Sequence, residues 1–320
     1  MEDSVLRYFR CQYLFSLSSF LFASVICAQT GTSSARVIAL GMQDQRGQFV
    51  EGIQSEQILV TQPVARIQHL ELDSAPRRIL LLLDTSGSMG NYQTLSWSNV
   101  AEFTRRFTRQ RDGDDAIGLD TFAEKDQVLV PFTADSQLVV THLDEVKNSG
   151  MGRTMLGNAL TQILARKENQ LRFGDAIVLV SDGDRSQDDK TDFARLRDAL
   201  IRGGIRICLV RVPSIIPTDA TVDATDVSSL VSDTGGIELD MAGTMPVQLG
   251  NGVRVNSQAL DSNAKAAYAF VRAYYQVSLE VSGTLGKPNR LHLEVVDQKR
   301  RKLKGVKLNY PRYLLPLSSD

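Results

Sequence analysis

Apolar and polar positions follow three patterns along this chain. In the middle lie short, continuously apolar runs: Ile79 to Leu83, Asp175 to Val180 and Ile205 to Val210. Runs of this length bounded by turn residues suit strands buried on both faces, as in a parallel sheet. Between them the period becomes helical. Val100, Phe103 and Phe107 recur at i, i+3 and i+7, with Arg105, Arg106 and Arg109 on other faces. Further helices are predicted over Asp135 to Val146, from Leu156 to about Asn169, over Thr191 to Arg202 and over Asp226 to Ser232. Gly203-Gly204 supplies a helix C-terminal signal. Ala116 to Phe122 and Gln127 to Phe132 read as an antiparallel edge hairpin, and Ile237 to Leu239 as a short strand. Strands alternating with helices predict an α/β fold, a doubly wound, mostly parallel sheet of the Rossmann-like kind.

The third pattern is the half-buried strand. Arg36 to Leu72 holds short β-like runs, with a hairpin turn at Asp44 to Gln48. Tyr275 to Val281, Asn289 to Val296 and Lys302 to Tyr310 alternate polar and apolar residues after a predicted helix from Ser257 to Tyr275. Residues 213–222 and 241–256 read as loops. Neither terminal set has enough strands for a core of its own, so the two are expected to pair as one flanking β-sandwich. The expected organisation is a signal peptide over 1–28, N-terminal strands over 29–75, the α/β domain over 76–256, and a linking helix with C-terminal strands over 257–320.

Charge adds little. Lys and Arg number 36 against 37 Asp and Glu, a formal net charge of −1, so no global field favours nucleic acid or an anionic membrane. Arg7 and Arg10 precede an apolar, Ser-rich stretch from Tyr13 to Ile26, and Ala28 offers a small residue for cleavage. A secreted or periplasmic protein follows, with no further membrane contact; an uncleaved anchor, or a lipoprotein using Cys27, is the lesser alternative. After cleavage only Cys208 of the three cysteines remains, and it reads as a small buried hydrophobe.

The candidate chemistry sits where the first apolar run stops. Asp84, Ser86 and Ser88 fall at alternate positions of a glycine-loosened loop, at the carboxyl end of a strand where open α/β sheets bind ligands. Oxygen-bearing side chains converging on one point suit a hard divalent cation. A plain strand-to-helix turn with a capping serine is the other reading of DTSGS. Ser181-Asp182-Gly183-Asp184 ends the second run in a similar cluster, and Thr154 lies in a glycine-flanked loop before a helix. Asp184, Asp188 and Asp189 do not fit a calcium loop, because Gln187 stands where its glycine belongs, so a solvated acidic loop is expected. His69, His142 and His292 have no ligand spacing. There is no phosphate loop, HExxH motif or nucleophile elbow, so an enzyme is not expected.

The order Asp-x-Ser-x-Ser, distant Thr, distant Asp resembles the von Willebrand factor type A (VWFA) domain with a metal-ion-dependent adhesion site, over about residues 76–275. DTSGS matches in full, GMGRTMLGNAL places Thr154, and LVSDGD places Asp182. Arg153 departs from the glycine common before the threonine, and the loop after Asp182 is unusually acidic. The flanking strands and the ending YQVSLEV…LHLEVVD…VKLNYPR resemble VWFA-related proteins of Acidobacteria. The resemblance implies Mg²⁺, with Mn²⁺ or Ca²⁺ as substitutes, held by Asp84, Ser86, Ser88, Thr154 and Asp182, the two carboxylates acting mainly through water. It further implies a protein partner whose Asp or Glu completes the coordination. The alternative is an envelope assembly protein in which the metal only stabilises the domain and the β-strands bind.

Overall fold

The computed structural model describes residues 34–90, 95–146, 152–212, 221–222, 225–241, 247–249, 252–254, 257–283 and 285–317. The expected signal peptide and Met151 lie outside them, as does most of the 213–222 loop.

In chain order the elements begin with β1 (Ser34–Gln43), β2 (Ile58–Gln62), β3 (Ala65–Asp73), β4 (Arg78–Asp84) and α1 (Leu95–Arg109). The edge hairpin follows as β5 (Ala116–Phe122) and β6 (Asp126–Thr133), then α2 (Ser136–Glu145) and α3 (Leu156–Ala165). Next come β7 (Ala176–Ser181), β8 (Arg185–Ser186), α4 (Phe193–Gly203), β9 (Arg206–Arg211), β10 (Thr221–Val222), α5 (Thr225–Asp233) and β11 (Ile237–Asp240). The remainder is β12 (Val247–Leu249), β13 (Gly252–Arg254), α6 (Ser257–Arg272), β14 (Tyr274–Val281), β15 (Asn289–Arg290), β16 (His292–Val295), β17 (Lys307–Asn309) and β18 (Tyr313–Leu314).

The central sheet has the order β11-β9-β7-β4-β5-β6. All its pairs are parallel except β5 with β6. The apolar run of β4 explains its central place. Ile79, Leu81 and Leu83 face a core built with α1, α2 and α6, while Leu80 and Leu82 face a core built with α3, α4 and α5. Only a strand covered on both faces can bury five consecutive apolar side chains. From β4 the chain goes to β5 on one side and later returns to β7 on the other, so the switch point lies at the carboxyl end of β4.

The terminal strands build a second module. A four-stranded antiparallel sheet runs β17-β1-β14-β3, and β16 pairs with β2. Ile38, Leu40 and Met42 of β1 share a core with Val277, Leu279 and Val281 of β14 and Leu293 of β16. The expected turn at Asp44 to Gln48 is present, closed by the Asp44 amide donating to the Gln48 carbonyl at 2.8 Å.

Several boundaries differ from the sequence reading. The linking helix stops at Arg272, and both Tyr274 and Tyr275 start a buried strand. Two arginines explain the stop. Arg206 donates to the carbonyls of Phe270 (2.9 Å) and Val271 (3.0 Å), and Arg77 to that of Arg272 (2.9 Å). These are the orphan carbonyls at a helix C-terminus, and cations suit them. The predicted Lys302–Tyr310 strand is regular only at β17, since Gly305 turns the backbone at φ 79°. The 241–256 stretch, read as loop, contains the short β12–β13 hairpin.

Cys208 is fully buried in β9, and burial pushes its thiol pKa up. No helix among the described residues is long and apolar enough to cross a membrane.

Candidate metal centre

Three loops meet at the carboxyl edge of the central sheet. β4 ends in Asp84, and the next position in register on β7 is Ser181. Adjacency in the sheet therefore puts the Ser181 hydroxyl beside the Asp84 carboxylate, where it donates to Oδ2 at 2.6 Å. The Ser86 amide donates to Oδ1 at 2.9 Å. Asp84 is fully buried. Burial, and then the negative charge of Asp182, push its pKa up to about 7, against the pull of the donors from Ser181 and Ser86.

After Asp84 the chain is tied down before it can wander. The Thr85 amide and hydroxyl both donate to the Phe122 carbonyl at the end of β5, at 2.8 and 2.9 Å. Gly87 to Met89 form one 3₁₀ turn, and Gly90 leaves it at φ 71°. The Gly87 amide donates to the carbonyl of Gly152 at 3.0 Å, which brings the Thr154 loop alongside. As a result the Thr154 hydroxyl donates to Ser86 Oγ at 2.8 Å, and Ser86 Oγ lies 3.3 Å from Ser88 Oγ. Ser86 is fully buried, Thr154 is buried and Ser88 is half-buried.

Asp182 follows β7. Its carbonyl accepts from Arg211 Nη1 at 2.8 Å, and Gly183 packs so closely on that guanidinium that a Cβ there would lie 2.3 Å from it. Asp182 Oδ1 accepts from the Asp184 amide at 3.1 Å. Its Oδ2 is buried and has no hydrogen-bond partner among the described residues. Ser181 links the two carboxylate positions, since its hydroxyl also accepts from the Gly183 amide at 3.0 Å.

The structure thus links Thr154 to Ser86 and Ser86 to Ser88, ties Asp84 to the Ser86 amide, and sets Asp182 near enough to Asp84 for their charges to act on each other. Among the described residues no Lys, Arg or His pairs with either carboxylate. No three His, Cys, Asp or Glu side chains there are grouped to hold a metal. A cation at this point would rest on hydroxyls and two acids, a donor set that fits a hard ion rather than a thiophilic one. The orphaned Asp182 oxygen and the hydroxyl trio satisfy the chemical requirement for such an ion. The Asp182 oxygen is costly without such an ion, because a buried polar atom without a partner is unfavourable.

The expected solvated acidic loop is otherwise arranged. Asp189 is only 2% exposed and accepts from the Gly157 amide at 2.7 Å and the Thr191 hydroxyl at 2.6 Å. It serves the N-terminus of α3, whose own N-cap, Met155, has no capping side chain. Asp188 pairs with Arg153 at 2.7 Å. Asp184 is half-buried, and burial followed by the charge of Asp182 raises its pKa. Ser181 and Asp189 are therefore parts of the site that sequence reasoning left out. Ser181 was visible within the oxygen cluster that ends β7, whereas nothing local marks Asp189 as a cap for a helix that begins 33 positions earlier in the chain.

Comparison with known proteins gives the same picture of the domain. Residues 79–185 match the family model of the von Willebrand factor type A domain, the stretch that contains all five candidate residues. An uncharacterized protein of Borreliella burgdorferi is 31% identical over 121 residues, covering 36% of this chain. The match spans 35% of that relative's length. Among solved structures, a von Willebrand factor type A protein from Catenulispora acidiphila aligns with a TM-score of 0.46 and 12% identity, over 91% of this chain and 76% of its own. An aerotolerance-related membrane protein from Bacteroides fragilis gives 0.44 and 15%, over 61% and 98%. Proximal thread matrix protein 1 from the mussel byssus, with a zinc-occupied adhesion-site motif, gives 0.48 and 12%, over 66% and 50%. The family match ends before β9, so it does not reach the flanking strands. The motif at the switch point of the doubly wound sheet thus lies within residues 79–185, the part of this chain that matches the von Willebrand factor type A domain.

Proposed function

We propose that the protein is a metal-dependent binding module of the extracytosolic space, not an enzyme. Asp84, Ser86, Ser88, Thr154 and Asp182 would hold Mg²⁺, or Mn²⁺ or Ca²⁺ in its place. The observation that carries this is the hydroxyl trio: Thr154 on Ser86 at 2.8 Å and Ser86 beside Ser88 at 3.3 Å, with Asp84 tied to the Ser86 amide and, acting on Asp84 by its charge, Asp182, one of whose buried oxygens has no partner among the described residues. Bound there, the ion would supply an electrophilic position that accepts a carboxylate from outside, since neutral hydroxyls leave most of its charge uncompensated. The natural complement is an Asp or Glu side chain of a protein partner. The three histidines support a non-catalytic reading, because each lies beside a glutamate elsewhere: His69 by Glu71, His142 by Glu145, His292 by Glu294.

Calorimetric titration of Mg²⁺ into the wild type and Asp84→Ala tests the site. Saturable binding in the wild type and its loss in the variant are expected; equal affinity in both would sink the assignment. Capture of envelope proteins with and without EDTA tests the function. Capture that survives chelation would favour the other role, with the β-module as the working surface and the metal as a stabiliser only.

A further inference from the structure

The arginines around the candidate metal centre are not equivalent. Arg211 is held by the Asp182 carbonyl, by Ser228 Oγ at 3.0 Å and by Glu238 at 3.4 Å. Arg185 lies over the Phe193 ring, pairs with Asp226 at 2.6 Å and donates to the Asp189 carbonyl at 2.9 Å. Both are structural. Arg153 differs. It immediately precedes Thr154, and its side chain is 64% exposed. Its sole partner among the described residues is Asp188, itself 56% exposed. Two hydrogen bonds hold the chain after this pair: the Ser186 amide donates to the Thr154 carbonyl at 2.9 Å, and the Gly157 amide donates to Asp189 at 2.7 Å. One loosely held cation therefore stands next in the chain to the candidate ligand Thr154. An ion pair between two such exposed side chains is weak, because water screens both charges, so a competing carboxylate can replace Asp188 at little cost.

We propose that Arg153 is a specificity-determining residue of the binding face, and that the partner segment carries two acidic residues. The first would meet the metal centre, as in the function proposed above, on which this inference rests. The second takes Arg153 from Asp188. Arg153 then favours diacidic segments, whereas a segment with one acid leaves the Arg153–Asp188 pair closed and gains nothing from it.

The test uses the full chain and a library of octapeptides with one fixed aspartate and randomised flanks, selected in Mg²⁺ and in EDTA. The wild type is expected to enrich, in Mg²⁺ only, peptides with a second Asp or Glu near the fixed one. Arg153→Glu should deplete those peptides by about fivefold or more and enrich Lys or Arg at the same place. Arg153→Lys should retain the preference. Mg²⁺ titration accompanies each variant. Mg²⁺-dependent enrichment without a preference for a second acid, or the same preference in Arg153→Glu, overturns the inference while leaving the metal site standing. Mg²⁺ binding with no peptide enriched overturns it as well. Absence of Mg²⁺ binding in the wild type overturns the function beneath it.

Discussion

Ser181 shows how much of the site depends on a residue that need not touch the metal. Its hydroxyl donates to Asp84 and accepts from Gly183, so it fixes the end of β4 to the turn that carries Asp182. Replacing it with alanine leaves Asp84 Oδ2 buried without its donor. Ser181→Ala is expected to cost about 1–3 kcal/mol in urea unfolding of the metal-free protein. Saturating Mg²⁺ should recover less stability in the variant than in the wild type, because the site it binds is less well held. A second residue-scale expectation concerns Asp120, buried in β5 and paired with Arg166 at 2.7 Å. Burial raises its pKa from 3.8 to about 6, with Arg166 pulling the other way. Between these values the folded protein binds more protons at this group than the unfolded chain does. Stability from this group is therefore full below about pH 4 and falls as pH rises through 6, by on the order of 3 kcal/mol. Denaturation of the wild type and Asp120→Asn from pH 4 to 7 should show a shallower decline in the variant, since Asp84, whose pKa is also raised, contributes to both. Four of the proposed ligands are marked in the sequence by strand ends and a spaced motif, and Thr154 by the resemblance of its glycine-flanked loop to the family's. Ser181 and Asp120 were not assigned roles, since those roles come from neighbours across the sheet and from burial.

At the scale of elements, the loops around the site act as parts of helices and strands rather than as free connections. α3 begins without a cap of its own and borrows Asp189 from the loop before α4. The same exchange closes the space: a Cβ on Gly157 would lie 2.5 Å from Thr191. Asp189→Ala should cost about 1 kcal/mol of stability, in the usual range for a lost N-cap. It should also weaken Mg²⁺ affinity by freeing the Thr154 loop. Asp189→Asn keeps an acceptor and should restore most of both, measured by thermal unfolding and calorimetry. The helices and longer strands were readable from period, and α1, α4 and the edge hairpin lie close to where the pattern puts them, whereas the two- and three-residue strands β8, β10, β12 and β13 are too short to show one. The end of α6 was not readable. Its stop depends on Arg77 and Arg206, which lie far from it in sequence, and the Ala and aromatic pattern runs on without a break into Tyr274 and Tyr275.

At the scale of the molecule, the α/β domain is inserted within the β-module. β14 lies between β1 and β3, so strands from both ends of the chain share one sheet. A chain ending at Arg272 loses the strand that both β1 and β3 pair with. Its β-module should fail to form, seen as loss of amide-exchange protection over residues 34–73, while the central sheet keeps its protection. The need for such pairing could be inferred from strand counts, but the register could not, since alternation fixes faces and not neighbours.

The two modules meet at the amino ends of the parallel strands. There Arg77 pairs with Asp73 at 2.7 Å, and the Tyr274 hydroxyl donates to Asp73 at 2.7 Å. The candidate metal centre lies at the opposite, carboxyl ends. β4 connects the two places directly, its seven residues spanning roughly 20 Å. If the β-module were anchored and a partner pulled on the site, the tension would run along β4. Its hydrogen bonds to β5 and β7 lie across that line and would have to slide together rather than open one at a time. The strand that aims the site is thus also the molecule's tensile member, loaded in shear.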